Sequence, residues 1–331
     1  MRNIKPVTVS LKQLHEGLDD STLQEAFGPD SLGIIVIKDL PAEYPKLRET
    51  VLTNSSKLAN LPSEVLSQLE KEDAFWLIGW SRGKEKLKND KYDYNKGSFY
   101  LNCSFHVDDS LECPPPTTSS DKTGDFSSYK GYISENVYPP EDLVPGFKDQ
   151  IKKLINLIIT IGESVAVNCD RYIKETVDTE YPEGYLARIV STSYSSKARL
   201  LHYYPAQETT DDDDWCGEHV DHSCLTGLTS ALYSDSQNDG DDGGLFIKSR
   251  NGEIVKVDIP PDCLAFQSGS TLEEVSKGGF KAVPHYVKSS PSRRDVSRNT
   301  LAVFMQPNLH EMVNDKENFA QYSNRILKKN H

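Results

Sequence analysis

Five residues of this 331-residue chain have the types and spacing to do chemistry: His219, Asp221, His285, Arg298 and Thr300. His219 and Asp221 stand two apart in Gly217-Glu218-His219-Val220-Asp221. On a β-strand, residues i and i+2 share a face, so an imidazole and a carboxylate would sit side by side. They supply two members of a 2-His-1-carboxylate facial triad, the donor set that holds non-haem Fe(II) and leaves coordination positions open. The third ligand has to come from a distant strand, and His285 in Val283-Pro284-His285-Tyr286-Val287 fits. Thirteen residues later, Arg298-Asn299-Thr300 opens the apolar run Leu301-Ala302-Val303-Phe304. Arg298 and Thr300 again share a face, and a guanidinium fork beside a hydroxyl is a suitable clamp for a carboxylate.

An HxD pair alone is weak evidence, because most such pairs are two polar surface residues. The chain holds a second copy, His106-Val107-Asp108, which leads into a Pro/Ser/Thr stretch and reads as loop. The copy at 219–221 has a different sequel. An apolar segment (Leu225 to Leu232) follows, then Gly243-Gly244-Leu245-Phe246-Ile247 as a turn and strand. Another strand, Cys263-Leu264-Ala265-Phe266, a turn marked by Gly269, and the downstream His and Arg-x-Thr complete the order. From Ser223 to Gln306, short apolar runs alternate with Gly, Pro or Asp turns, the pattern of an all-β sandwich or barrel.

These motifs, with Tyr203-Tyr204-Pro205, Ser268-Gly269 and Pro284-His285-Tyr286-Val287, resemble the iron- and 2-oxoglutarate-dependent oxygenases of the isopenicillin N synthase-like (clavaminate synthase-like) group. The resemblance extends over most of the chain. It implies a mixed α/β, mainly β fold: a double-stranded β-helix (jelly-roll) core with an N-terminal α/β region and supporting helices. It implies Fe(II) on His219, Asp221 and His285, with 2-oxoglutarate as co-substrate and O2 as oxidant. Arg298 and Thr300 would take the far carboxylate of 2-oxoglutarate. Tyr204 would add a hydroxyl there, and His202, where many similar enzymes have Asn, would stand near the keto end. The implied activity is hydroxylation or desaturation of a small organic molecule, with release of succinate and CO2. Three other readings stay open: an Fe(II)/O2 oxidase that does not use 2-oxoglutarate, a non-catalytic binder on the same barrel, and a zinc hydrolase using the same side chains.

The elements that must position these residues can be read in order. Pro6–Leu11 reads as a strand, Leu14–Phe27 as a helix ended by Gly28-Pro29, and Gly33–Ile37 as a buried strand. Helices follow over 45–61 and from Pro62 to about Lys71. After Val144-Pro145-Gly146, a long helix carries Phe147, Ile151, Leu154, Ile155, Ile158 and Val165 on one face. Residues 186–205 are expected to return to strands, and about 314–329 to form an amphipathic helix packed on the body. The regions at 84–96 and 106–128 read as loops, Asp211–Asp214 as a solvated acidic loop, and Asp239–Gly244 as a hairpin turn. One catalytic unit is expected over 1–331, with an N-terminal region at 5–135, a core at 195–310 and a terminal helix at 312–331.

Composition bounds the partners. A net charge of −13 argues against a non-specific grip on nucleic acid, which needs a basic face. The six cysteines form no CxxC spacing, and Cys216 and Cys224, which flank the HxD motif, read as small buried residues rather than thiolate ligands. The N-terminus lacks an apolar signal-like stretch, and the most apolar run, Leu154–Ile161, is too short to cross a bilayer. The expected setting is a reducing compartment, the cytoplasm or nucleus. The expected partner is a small-molecule substrate, without nucleic acid or membrane, and the expected state is a monomer.

Overall fold

The structure is a computed structural model that describes residues 5–85, 92–115, 126–205, 214–235, 243–290 and 295–330. The N-terminal part runs β1 (Val7–Ser10), α1 (Leu11–Glu16), α2 (Asp20–Phe27), β2 (Ile34–Lys38), α3 (Tyr44–Ala59), α4 (Ser63–Gln68), β3 (Gly79–Arg82) and β4 (Lys96–Asn102). Three helices follow: α5 (Lys130–Ile133), α6 (Phe147–Tyr172) and α7 (Tyr185–Thr192). The rest is β5 (Lys197–Tyr203), β6 (Asp214–His219), β7 (Leu225–Thr229), β8 (Leu232–Tyr233), β9 (Gly244–Lys248), β10 (Ile254–Val257) and β11 (Leu264–Ser268). Then come α8 (Ser270–Val275), β12 (His285–Lys288), β13 (Arg298–Met305) and α9 (Phe319–Asn330).

The strands form two sheets. The larger has the order β1-β2-β11-β7-β13-β5-β4-β3, with β8 also on β13; the smaller is β10-β9-β12-β6. Strand alternation sorts the side chains. Ile34, Val36, Leu201, Tyr203 and Ala265 join Trp215, Leu245, Ile247 and Val287 in a core between the sheets. Their neighbours Ile35, Ile37, Leu200, Leu264 and Phe266 face the helices in a larger core. This is the jelly-roll sandwich expected, and β1 and β2 of the N-terminal region extend its larger sheet.

The long helix α6 is the scaffold of the outer face, with Ile151, Leu154, Ile155, Ile158 and Val165 buried on one side. It approaches the larger sheet closely because two glycines allow it. A Cβ at Gly227 would lie 2.4 Å from Ile158 Cγ2, and one at Gly162 would lie 2.4 Å from Met305 Sδ. The tail helix α9 packs back as expected, placing Phe319, Ala320 and Tyr322 in a smaller core with Phe126, Tyr132 and Leu309.

Two expectations need correction. The helix expected over 14–27 is two helices, because Gly17 takes φ +100° and Asp19 caps the second by accepting from Thr22 N at 2.8 Å. Residues 185–192, expected as strand, form α7, whose first-turn amides at Leu186 and Ala187 donate to the buried Asp170 carboxylate. The turn at Gly269 leads into the short helix α8. The 106–108 segment lies at the end of a single 3-10 turn, and His106 Nδ1 stands 3.2 Å from Asn156 Oδ1. Residues 86–91, 116–125, 211–213 and 239–242, which include most of the loop and acidic-turn expectations, lie outside the described residues. No helix among the described residues is long and apolar enough to cross a membrane.

Candidate metal centre and cavity

His219 ends β6, His285 begins β12, and the antiparallel register sets them directly opposite each other in the smaller sheet. Their ring centroids are 4.3 Å apart. Asp221 lies just beyond β6, with Oδ1 at 3.6 Å from His219 Nε2 and 3.9 Å from His285 Nε2. One donor atom from each of the three residues falls within 4.8 Å of the others. The sequence pairing of His219 with Asp221 and the long-range choice of His285 thus converge in space.

The surroundings aim these donors. His219 Nδ1 lies 2.7 Å from Gly217 O, so Nδ1 carries the hydrogen and Nε2 presents its lone pair to the centre. His285 Nδ1 lies 2.7 Å from the side-chain amide of Gln267, whose oxygen is otherwise buried without a partner among the described residues. With that oxygen turned to His285, the amide accepts the Nδ1 hydrogen and frees Nε2. Asp221 Oδ2 accepts from Thr226 Oγ1 at 2.7 Å, which ties the carboxylate to β7 of the larger sheet. The backbone is held as well: Ser270 N donates to Asp221 O at 2.8 Å and Thr271 Oγ1 to His222 O at 2.6 Å. Gly269 permits this contact, since a Cβ there would stand 2.0 Å from Ser223 O.

Electrostatics fit a cation at this point. Burial works to raise the Asp221 carboxyl, but His285, His219 and the Thr226 hydroxyl hold it well below the usual carboxylate range. Burial, reinforced by His219, pushes His285 down to about 4, so its imidazole is neutral. Burial disfavours charge on His219 too, yet Cys216 and Asp221 raise it well above its ordinary value. A buried carboxylate flanked by two imidazoles, one of them readily charged, is a donor set that a divalent ion can satisfy.

The centre opens into a cavity of about 750 Å³ between the sheets. Along β13 the cavity is lined in turn by Arg298, Thr300, Ala302 and Phe304. Arg298 is buried, donates from Nε to Tyr233 Oη at 3.1 Å, and stands 5.2 Å over the Tyr203 ring. Its Nη1 is buried with no hydrogen-bond partner among the described residues. An unpaired buried donor on a permanent cation is costly, and an anionic oxygen in the cavity would remove the cost. The Thr300 hydroxyl donates to Thr229 O at 3.2 Å on the same wall.

His202 and Tyr204 do not reach this cavity, contrary to the expectation from sequence. His202 is buried with Nδ1 at 2.8 Å from Asn299 Oδ1, and Tyr204 donates to Ala59 O at 2.8 Å. The reason is register. β5 pairs Tyr203 with Arg298 and Leu201 with Thr300, so 201 and 203 share the cavity face while 202 and 204 face α3. The doublet Tyr203-Tyr204 hid which ring points inward, and Tyr203 is the one that does. Sequence reasoning also missed Thr226, Gln267 and Tyr233. Thr226 lies in the apolar segment after the HxD motif, where its type suggests only a strand residue, and nothing local signalled Gln267 or Tyr233. Cys216 lines the cavity, with Sγ 3.9 Å from His219 Nδ1, and Cys224 is fully buried away from it.

Comparison with known proteins agrees with this geometry. Residues 195–307 match the family described as the 2OG-Fe(II) oxygenase superfamily. Gibberellin 2-beta-dioxygenase 3 of Arabidopsis thaliana is 27% identical over 220 residues, covering 58% of this chain and 61% of that one. Scopoletin 8-hydroxylase of the same plant is 26% identical over 165 residues, covering 50% and 38%. The chain therefore spans less than two thirds of these curated relatives. Among solved structures, the dioxygenase for auxin oxidation in rice superposes with TM-score 0.64 at 16% identity, covering 98% of this chain and 96% of that one. A full-length Neurospora crassa protein solved in complex with alpha-KG and thymine gives TM-score 0.62 at 21% identity, covering 93% and 87%. At such identities the structural likeness is one of fold.

Proposed function

From the match of residues 195–307 to the 2OG-Fe(II) oxygenase superfamily, we propose that this protein is a non-haem Fe(II), 2-oxoglutarate-dependent oxygenase. It hydroxylates or desaturates a small organic molecule and releases succinate and CO2. The observation that carries this reading is the meeting of His219, Asp221 and His285 at a cavity that also holds the unpartnered Nη1 of Arg298. Two curated relatives named as a dioxygenase and a hydroxylase support it.

When bound, the metal and 2-oxoglutarate supply the activation of O2 for oxidation of a C–H bond. The chain does the rest. Nε2 of His219, Nε2 of His285 and Oδ1 of Asp221 hold the Fe(II). Gly217 O and the Gln267 amide fix the two imidazoles, and Thr226 fixes the carboxylate. Arg298 receives the far carboxylate of 2-oxoglutarate, with the Thr300 hydroxyl beside it and the Tyr233 phenol steadying the guanidinium. Leu201, Leu228, Val257 and Val287 wall the cavity with apolar surface and keep water from the reacting groups. The whole chain acts as one catalytic unit and a monomer, with 195–310 as the core, 5–135 completing the larger sheet and 312–331 covering one flank. Six unpaired cysteines support a reducing compartment, the cytoplasm.

The test is anaerobic titration of the Fe(II) protein with 2-oxoglutarate, read by the visible metal-to-ligand charge-transfer band. The band should appear, His219→Ala should abolish iron binding, and Arg298→Leu should weaken 2-oxoglutarate roughly 10- to 100-fold while iron still binds. Iron binding without the band would make the chain an Fe(II)/O2 oxidase. Failure to bind iron at all would end the catalytic reading.

A further inference from the structure

The cavity has two distinct ends. Thr226, which donates to Asp221, pairs with Phe304 of β13, so the triad lies at the Phe304 end and Arg298 at the other. On β5 the cavity-facing residues run from Tyr203, level with Arg298, through Leu201 to Arg199, level with Ala302. Arg199 is therefore a second guanidinium, four residues or roughly 13 Å along the ladder from the first and at the triad end. The proposed function gives it no role.

Arg199 is firmly held. Its Nε donates to Ser98 Oγ at 3.0 Å, and Nη2 donates to Ser98 Oγ at 2.8 Å and Glu85 Oε1 at 2.5 Å. The guanidinium also stands 4.9 Å over the Tyr100 ring. Glu85 in turn pairs with Lys96 at 2.9 Å, and Lys96 pairs with Asp93 at 3.0 Å. Nη1 of Arg199 makes no hydrogen bond to the described residues. The side chain keeps 15% of its surface accessible, and the cavity is what it lines.

Resting on the reading above, we propose that the oxidised substrate docks an uncharged oxygen acceptor on Nη1 of Arg199, and that the site selects neutral, largely apolar molecules over carboxylic acids. Charge balance is the reason. Fe(II) with Asp221, the 2-oxoglutarate dianion and Arg298 sum to zero. Arg199 and Lys96 with Glu85 and Asp93 also sum to zero, and the other charged residues that line the cavity, Arg48 and Lys256 with Glu49, Asp258 and Asp262, sum to −1. Cys216, which lines the cavity from β6 of the smaller sheet, adds no charge as a thiol and one more negative charge as a thiolate. A carboxylate placed here would be a buried charge with no net counter-charge, which is strongly disfavoured. A ketone, lactone, ester or phenol oxygen would satisfy Nη1 without disturbing the balance. The adjoining Leu228, Ala302 and Phe304 favour an apolar remainder.

The test uses the protein loaded with Mn(II) and N-oxalylglycine, an unreactive analogue of 2-oxoglutarate. It is offered a library of bicyclic ketones, lactones and methyl esters, each paired with the carboxylic acid of the same skeleton. Binding is read by ligand-observed NMR, after the N-oxalylglycine affinity has been measured in the same sample. Neutral members should bind roughly tenfold or more tighter than their acids, and Arg199→Leu should cost them roughly tenfold. Arg199→Lys, which keeps the pair to Glu85, should show the same loss in a variant whose charge network is intact. Glu85→Gln, which removes one negative charge beside Arg199, should shift preference toward the acids. Acids binding tighter to the wild type, a library with no binder, or full retention in both Arg199 variants would overturn the proposal. Absence of N-oxalylglycine binding would instead overturn the functional reading on which it rests.

Discussion

At the scale of single residues, the site depends on side chains that touch no substrate. Thr226 takes one oxygen of Asp221 and leaves the other facing the two histidines. Thr226→Val keeps the shape and removes the hydrogen bond. It should weaken Fe(II) binding by about 10- to 100-fold, measured by metal titration, with the circular dichroism spectrum unchanged. Tyr204 gives the opposite expectation. Because its hydroxyl serves Ala59 O on the helix side, Tyr204→Phe should cost about 1 kcal/mol of stability in denaturant unfolding. It should leave 2-oxoglutarate affinity unchanged. A large loss of that affinity would restore the residue to the cavity.

At the scale of elements, what the sequence revealed and what it hid have physical causes. His219, Asp221, His285, Arg298 and Thr300 were legible because strand periodicity is strict and the residue types are rare in combination. The long apolar stripe of α6 was legible for the same reason, having helical period over many turns. Tyr203 against Tyr204 was not legible, because two identical neighbours carry no parity and only the pairing of β5 with β13 supplies it. α7 was hidden because its β-branched run Ile189-Val190 reads as strand, while its first turn is fixed by Asp170, a residue on α6. The close contact of α6 with the larger sheet was also hidden, since it depends on two glycines far apart in the chain. Gly227→Val would drive a branched side chain into Ile158. The expected cost is about 1–3 kcal/mol, seen as a lower Tm without change in the metal ligands themselves.

For the whole molecule, the pH response of stability has one identifiable contributor away from the site. Lys197 is buried, donates to Asn102 Oδ1 at 2.9 Å and Gly131 O at 2.6 Å, and has no carboxylate partner among the described residues. Burial, only partly offset by Cys103, lowers its pKa to about 7. Its unfolded value is about 10.4, so between those limits the unfolded chain binds more protons than the folded one. This contribution to stability is therefore fully present above the upper limit and is lost as pH falls toward 7. Urea unfolding of wild type and Lys197→Met should show the wild type gaining on the variant between about pH 7 and about pH 10. The two acceptors left without a donor in the variant add only a constant offset. A parallel pair of pH curves would assign the slope elsewhere.

The triad is drawn from both layers of the sandwich. His219 and His285 belong to the smaller sheet, whereas Asp221 is fastened through Thr226 to the larger one. An ion held by all three would act as a rivet through two plates. Its loading should therefore be felt as stiffness far from the cavity. Amide hydrogen exchange should slow in β12 and β7 together when metal is added, and Thr226→Val should uncouple the two, leaving only β12 protected.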